Sequence, residues 1–442
     1  MVAAADGLVY DHQYRDAMRV AHDSEYCTIK LLARRKETHI MIKGNVLIGQ
    51  SGGPTSVINS SLAGVIDAAR TIENADAVLG MRWGIEGFMQ GNVVDLSAEA
   101  QATIDQLRKT PSSILGSSRH KVQDADFPQI LANLKKFNIR VMFMIGGNDT
   151  MDTIHRVTEY AAGQGYEMCG VGIPKTVDND LFGTDHTPGY AGAARFTALS
   201  VQQTGRLARD MQKVDQFVIY QSIGRDAGWL ACSAALGKKT EQDPPHLIYT
   251  PERDFDKAKF LADVKACYDK LGFVSIVCGE GLKYADGTPV SATETKDKFG
   301  NEEFGAMGGS SVAMNLHKMI ADEFGWRGEF QITESMPMCA IDRTPQQDLD
   351  EAYKAGQAAM DLAAEGTTGV MVSLVRESNA PYTCVMGTAP LRDVAVRAKP
   401  MPDDFLNEAG NFPSQKFFDY ALPLVGEIDA FAQLEYIPYD QS

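Results

Sequence analysis

The chain is 442 residues long, 44% hydrophobic and 23% charged, the composition of a globular protein with room for two or more domains and a sizeable buried core. A formal net charge of −16 argues against nucleic acid or an anionic membrane as a partner, and no apolar run of about eighteen residues is present to cross a bilayer. The seven cysteines, at 27, 169, 232, 267, 278, 339 and 384, are odd in number and lack C-x-x-C spacing, which fits reduced thiols in a cytoplasmic protein and not a disulfide frame or a zinc site.

Residues 1–41 are mixed in charge, include Arg34-Arg35-Lys36 and contain no apolar h-region, so they do not read as a secretory signal. Met41 stands directly before Ile42–Gly49, the first predicted strand. The segment ahead of it is expected to be an extension, an upstream start-site artefact, a disordered arm or a lid element, the first two being the favoured readings, and its removal is expected to leave activity and melting temperature nearly unchanged. From the first strand the chain enters Gln50-Ser51-Gly52-Gly53-Pro54 and a helix through about Arg70. Glycine allows close approach of backbone to a phosphate, and proline is tolerated where a helix begins. Val78–Trp83 reads as a second strand. Thr110–Lys121 follows a helix ending near Lys109 and is too serine-rich for core; on its own it reads as a solvated basic loop.

Arg140–Ile145 is a short apolar run ending at Gly146-Gly147, and Asp149–Ala162 carries apolar residues at helical spacing. The next apolar run, Met168–Ile173, delivers Pro174-Lys175-Thr176-Val177-Asp178-Asn179-Asp180 to the same sheet edge, where an open α/β sheet places its ligands. Two neighbouring strand ends would then supply backbone N–H donors, one lysine and three carboxylates, a set suited to a polyphosphate with Mg²⁺ and to a proton-accepting base. Either turn alone reads equally well as a tight turn with aspartates capping a helix. Two such turns one βαβ unit apart, with Lys175 among the carboxylates, favour a site. Anionic substrates need local cations against the global charge, and Arg119, Lys121, Lys175, Arg195 and Arg225 are the candidates.

Beyond Asp180 a long helix is predicted over Gly189–Met211. His186, beside Asp185 and with no second histidine at ligand spacing, reads as an ordinary hydrogen-bonded side chain. Gln216–Ser222 is a strand, and Gly224-Arg225-Asp226 turns into a helix starting near Ala227. An arginine at such a turn faces the crevice and can bridge two phosphates bidentately. His246–Thr250 is a short strand followed by Pro251-Glu252, Asp254–Leu271 a helix, and Phe273–Cys278 a strand ending in Gly279-Glu280-Gly281. Lys283–Glu303 reads as a long surface loop, Gly308–Phe324 as a helix and Gly328–Thr333 as a strand. Asp348–Ala364 is an amphipathic helix, Thr368–Leu374 a strand, and the remainder a loose tail containing prolines. No internal repeat is visible. The alternation predicts an α/β protein of two doubly wound, Rossmann-like domains with the site in the crevice between them.

The two central turns, Gly146-Gly147-Asn148-Asp149-Thr150 and Pro174–Asp180, resemble the phosphofructokinase family, in particular its pyrophosphate-dependent branch. Ser51-Gly52-Gly53-Pro54, Leu115-Gly116-Ser117-Ser118-Arg119, Ile223-Gly224-Arg225-Asp226-Ala227-Gly228-Trp229 and Thr250-Pro251-Glu252 recur in the family's order. The resemblance runs from about residue 42 to about 375. It implies a donor domain over 42–190 plus 346–395 and a sugar-phosphate domain over 191–345 plus 396–442. It also implies a cytoplasmic homodimer or homotetramer. The implied reaction is Mg²⁺-dependent transfer of a phosphoryl group from pyrophosphate to the 1-hydroxyl of fructose 6-phosphate. Asp178 is then the base, with Thr176 and Asp180 holding its geometry. Gly53, Arg119, Lys121, Gly147, Asn148, Asp149 and Lys175 surround the donor, and Arg225 bridges donor and acceptor. Thr176, Asp178, Ile223, Gly224, Arg225, Glu252 and Arg343 form the acceptor side, and Asn148 and Asp178 are the metal ligands.

Donor choice follows from Asp149, which stands where ATP-using members have glycine. A carboxylate there crowds and repels the α-phosphate of ATP, and Lys175 adds a compensating positive charge. The chain also departs from the family. Asn148 replaces an aspartate, so the metal is expected to rest mainly on Asp178, Asp180 and the donor. Pro337-Met338 falls where a Gln-Arg pair is usual, and Gln216 stands where another arginine is found, so Arg343 is the candidate replacement. These losses imply weak affinity for fructose 6-phosphate or a different sugar phosphate or polyol as acceptor. Two further alternatives are a non-catalytic phosphate sensor on this scaffold and, from the GG-x-x-T pattern after a strand, an NAD-kinase-like enzyme. No P-loop pattern is present, which speaks against ordinary nucleotide hydrolysis.

Overall fold

The computed structural model describes residues 43–72, 75–291 and 310–439. The expectations for residues 1–41, and for most of the Lys283–Glu303 loop with the residues that follow it, lie outside the described residues. Eleven strands are described: β1 Gly44–Gln50, β2 Ala75–Met81, β3 Val93–Asp95, β4 Ile139–Gly146, β5 Cys169–Pro174, β6 Phe217–Ser222, β7 Leu247–Tyr249, β8 Val274–Gly279, β9 Gly328–Ile332, β10 Val370–Asn379 and β11 Tyr382–Pro390. They form a seven-stranded sheet of order β11-β10-β5-β4-β1-β2-β3 and a four-stranded sheet of order β7-β8-β6-β9. Both sheets lie in one compact unit, Thr38–Ser442.

The continuous apolar runs of β1 and β4 follow from helices covering both faces of a parallel sheet. Val46, Ile48, Phe143 and Ile145 point into a core closed by the helices Ile58–Ala69 and Gln346–Ala364. The alternate residues Leu47, Met142 and Met144 point into the opposite layer, with the helices Phe127–Lys136 and Asn148–Gly163. Strands β1, β4 and β5 are adjacent and parallel, so the loops leaving their carboxyl ends stand side by side. In the smaller sheet β6 pairs in parallel with β8 and β9, and β7 with β8. The helix Tyr190–Asp210 follows the loop after β5 and packs under β6 through Ala194, Ala198 and Val201. Asp348, at the start of the helix Gln346–Ala364, accepts the Gly189 and Gly192 N–H groups at 2.9 Å each, tying that helix to the start of Tyr190–Asp210.

The segment after Leu374, expected as a loose tail, holds a strand pair and further helices among the described residues. Strand β10 continues to Asn379 and turns back as β11, antiparallel to it at the sheet edge, before the helices Leu391–Val394 and Gln415–Val425. β11 alternates between half-buried and exposed residues over most of its length, and Pro381 and Pro390 stand at its borders, where a missing N–H costs no ladder bond. It therefore has no apolar run to betray it. β2 lies three residues ahead of its predicted start and ends at Met81, and Trp83, with φ 61°, begins the helix Gly84–Met89.

The helices Ile58–Ala69 and Gln346–Ala364 touch backbone to backbone. A Cβ on Gly356 would lie 2.1 Å from Ser61 O, and one on Gly64 would lie 2.1 Å from Tyr353 O. Neither carbonyl can rotate away, so the pair needs two glycines. Gly356→Val is expected to cost about 1–3 kcal/mol of stability through overpacking. The control Gly163→Ala fills open space at a helix end and should leave the melting temperature unchanged or raised. Calorimetry on the two variants checks both.

Candidate active site

The Ser51-Gly52-Gly53-Pro54 loop is held from below. Ser51 N–H donates to Ile145 O at 3.0 Å, Ser117 Oγ donates to Gly52 O at 2.6 Å, and Gly52 takes a positive φ of 75°. Lys175, at the end of β5, reaches across to donate its Nζ to Gly53 O at 2.5 Å. The ammonium is thus buried beneath the loop, and burial lowers its pKa to about 8 against the pull of Asp178 and Asp180; Arg225 and Arg119 push it the same way as burial. Arg119 is exposed on the neighbouring loop.

Gly147 is the N-cap of the helix Asn148–Gly163, which puts Asn148 and Asp149 in its first turn, where backbone N–H groups lack helical partners. Asp149 is largely exposed and pairs with Lys121 at 3.6 Å, a contact worth at most about 1 kcal/mol at such exposure. The Asn148 amide nitrogen donates to Arg397 O at 2.8 Å and Val394 O at 3.3 Å, leaving its oxygen as the end available to a ligand.

The loop after β5 carries the carboxylates. Thr176 Oγ1 accepts the Asp178 N–H at 3.1 Å. Asn179 adopts the left-handed region at φ 58° and is fully buried. Its amide nitrogen donates to Tyr420 OH at 2.9 Å, and its oxygen accepts from Thr187 N–H at 3.0 Å and Lys399 Nζ at 3.4 Å. This leaves the half-buried Asp178 and Asp180 on either side. Burial first, then like charge on Asp180 and Glu280, pushes the Asp178 carboxyl up to about 7, with Arg225 and Lys175 opposing. Burial also raises Asp180, against its own backbone N–H and Lys399. Two close carboxylates without enough positive charge around them form a donor set that fits a hard divalent cation.

Across the crevice, Gly224 and Arg225 N–H both donate to Glu280 Oε1, at 3.1 and 2.9 Å. Arg225 is left-handed at φ 49°, and this shared acceptor fixes it there. Glu252 Oε1 accepts Gly228 N–H at 2.7 Å; burial raises the pKa of this carboxyl, against hydrogen bonds from Gly228 N–H and the Thr250 hydroxyl. Ile223, between strand and turn, packs on the core beneath.

Of the sequence candidates, Lys175, Asp178, Asp180, Arg119 and Arg225 act on one another electrostatically, and Lys121 joins Asp149. Arg343 is engaged elsewhere: Nη1 donates to Ser200 Oγ at 2.9 Å and the guanidinium lies 4.8 Å from the Phe196 ring centroid. Arg195 likewise serves the carbonyls of Val425 and Glu427. A methyl group added to Gly53 would come within 2.5 Å of Met338 Cε, so Met338 packs on the donor loop. His186 is a hydrogen-bonded side chain, held by Asp185 at 2.9 Å and Glu351 at 2.7 Å, and its pKa is raised by these partners although burial opposes them. Sequence reasoning missed Glu280, Asn179 and Lys399. Glu280 had a signal, since Gly279-Glu280-Gly281 closes a strand at the same edge.

Because Glu280 holds both N–H groups of the Arg225 turn, Glu280→Ala should lower turnover by about 10–100-fold through misplaced geometry, with the fold retained. Glu280→Gln keeps an acceptor oxygen and should lose much less. Steady-state kinetics with circular dichroism on both variants checks this.

Comparison with known proteins identifies the family. The phosphofructokinase family model matches residues 45–334. Pyrophosphate–fructose 6-phosphate 1-phosphotransferase from Halomonas elongata is 34% identical over 392 residues, 87% of this chain and 92% of the relative. Sulfofructose kinase from Alkalicoccus urumqiensis is 32% identical over 368 residues, covering 82% and 92% of the two chains. The crystal structure of the pyrophosphate-dependent phosphofructokinase from Nitrosospira multiformis matches with a TM-score of 0.79 at 33% identity, over 90% of this chain and 95% of that one. With the family model covering most of its length and both sheet edges presenting the same crevice, the chain belongs to the phosphofructokinase family.

Proposed function

We propose that the chain is a pyrophosphate-dependent phosphotransferase that moves one phosphoryl group to the 1-hydroxyl of fructose 6-phosphate, giving fructose 1,6-bisphosphate and phosphate. The observation that carries this reading is Asp178: a half-buried carboxylate with its pKa near 7, facing the charges of Lys175 and Arg225. A base is most useful when its pKa lies near the working pH. Asp178 takes the hydroxyl proton, while the Asp178 N–H bond to Thr176 and the bracing of Asn179 fix where the carboxylate stands. Arg225, held by Glu280, bridges the transferred group and its acceptor. Phosphoryl transfer asks little covalent chemistry of a protein, so positioning and neutralisation carry the rate.

On the donor side, Gly53, Gly147, Arg119, Lys121 and Lys175 surround the pyrophosphate. Asp178, Asp180 and the Asn148 oxygen would hold Mg²⁺, which when bound would offset the charge of the donor oxygens. Asp149, exposed at the helix start, stands against any larger group beyond the second phosphate. On the acceptor side Glu252, fixed by Gly228 N–H, is the carboxylate suited to the sugar hydroxyls. The smaller-sheet half, over 191–345 plus 396–442, then serves the acceptor, and the half over 42–190 plus 346–395 serves the donor. We place the protein in the cytoplasm as a homodimer or homotetramer. The cysteines among the described residues are all free, and no described helix is long and apolar enough to cross a membrane.

A second acceptor is favoured by two observations: Met338 packs on Gly53, and Arg343 is engaged by Ser200 and Phe196. Neither offers a free cation to a sugar phosphate, and a relative of similar identity is named sulfofructose kinase. An activity matrix of pyrophosphate and ATP against sugar phosphates, sulfonated sugars and polyols tests both readings. No turnover with any pair would leave only a phosphate-binding role.

Asp178→Asn should lose about 10²–10⁴-fold in kcat while donor binding survives. The wild-type kcat/KM should fall at acid pH, where Asp178 gains its proton, with a midpoint that moves lower as Mg²⁺ is raised, and fall again above about 8, where Lys175 loses its charge. The acidic limb should be absent from the residual activity of Asp178→Asn. A mutant that keeps both its rate and its acidic limb would move the base elsewhere.

Asp149→Gly removes bulk and charge from the helix start, so kcat/KM for ATP should rise relative to pyrophosphate. Wild-type enzyme that already prefers ATP would overturn the donor assignment.

A further inference from the structure

The described segment that follows β11 does more than cover the sheet edge. Leu181 pairs with Ala398 as an isolated antiparallel bridge, and Lys399 N–H donates to Asp180 O at 2.7 Å. The Lys399 side chain then turns inward. Its Nζ donates to Asp185 O at 2.6 Å and lies 3.4 Å from both Thr184 O and Asn179 Oδ1. The same ammonium stands 4.9 Å from the centroid of the Trp229 ring, at the start of the helix that follows the Arg225 turn. One cation therefore touches the loop carrying Asp178 and Asp180, and also the first residue of the helix that follows the Arg225 turn. Asp185, Asp180 and Arg376 are the charged groups that act on it.

We propose that Lys399 is a positioning residue, a clamp that fixes the Asp178 loop against the Ile223–Trp229 turn. This rests on Asp178 as the base and Arg225 as the bridging group. Its three oxygen partners absorb all three ammonium donors, so Lys399 has none left for a substrate. What it supplies is registry. Asn179 stays left-handed because its side chain is braced by Tyr420, Thr187 and Lys399, and that backbone conformation sets the directions of the carboxylates on each side. The cation over Trp229 then couples this loop to the opposite wall of the crevice.

The test is Lys399→Met beside Lys399→Arg, in the full-length chain. Lys399→Met should lower kcat about 10–100-fold while KM for pyrophosphate and for the acceptor stays within about threefold, because a misplaced base costs rate more than binding. Lys399→Arg retains a cation for the ring and carbonyls and should recover part of the loss. Hydrogen exchange provides the readout independent of turnover: amides of residues 177–187 and 225–231 should both lose protection in Lys399→Met, while those of β1 and β4 do not. A tenfold rise in KM for pyrophosphate at unchanged kcat would instead make Lys399 a donor ligand. Unchanged kcat, or exchange rising across the whole chain with a lowered melting temperature, would overturn the clamp. If wild-type enzyme turns over no donor and acceptor pair, the assignment of the base fails, and the exchange pattern still decides whether the two walls are coupled through Lys399.

Discussion

A single left-handed residue, Asn179, is the constraint on which the crevice depends. Its φ of 58° is unfavourable for a residue with a Cβ, although asparagine tolerates it better than most. The conformation persists because the buried amide is satisfied on both ends, by Tyr420, Thr187 and Lys399. Around it the chain places two carboxylates that repel each other and a lysine that is short of water. Each of these is unfavourable alone, and together they partly compensate: Asp178 and Asp180 favour the charged form of Lys175, and Lys175 favours theirs. Rigid surroundings keep the arrangement from relaxing.

The turn at Arg225 repeats this logic on the smaller sheet. A non-glycine residue is again left-handed, and a carboxylate from the adjacent strand end accepts two successive N–H groups to keep it there. The acidic chain thus sets a few positive groups, Lys175 and Arg225 among them, within carboxylates that also serve as ligands or supports.

Much of this was legible in the sequence, for physical reasons. β1, β4, β5, β6 and β8 are buried on both faces and so read as short apolar runs, and the loops they feed are dense in glycine and charge. What stayed hidden depends on partners far along the chain. β11 is an edge strand with no buried face of its own, and the value of Lys399 comes from Asn179 and Asp185, more than 200 residues earlier. Arg343 illustrates the reverse case: its charge was visible, and its engagement by Ser200 and Phe196 was not.

The strand order also governs when the site can exist. β5, which launches the Asp178 loop, has β4 on one side and β10 on the other, and β6 to β9 are all made between β5 and β10. Contacts that span so much of the chain form slowly, because loop closure must precede them. During synthesis the smaller sheet is therefore complete in sequence while the outer flank of β5 still waits for its partner. An amino-terminal fragment ending before residue 370 would carry nearly every substrate-facing group and still lack the strands and the lysine that hold them in place. In this architecture a ribosome-bound chain has its complete set of supports only once the segment from residue 370 onward has emerged.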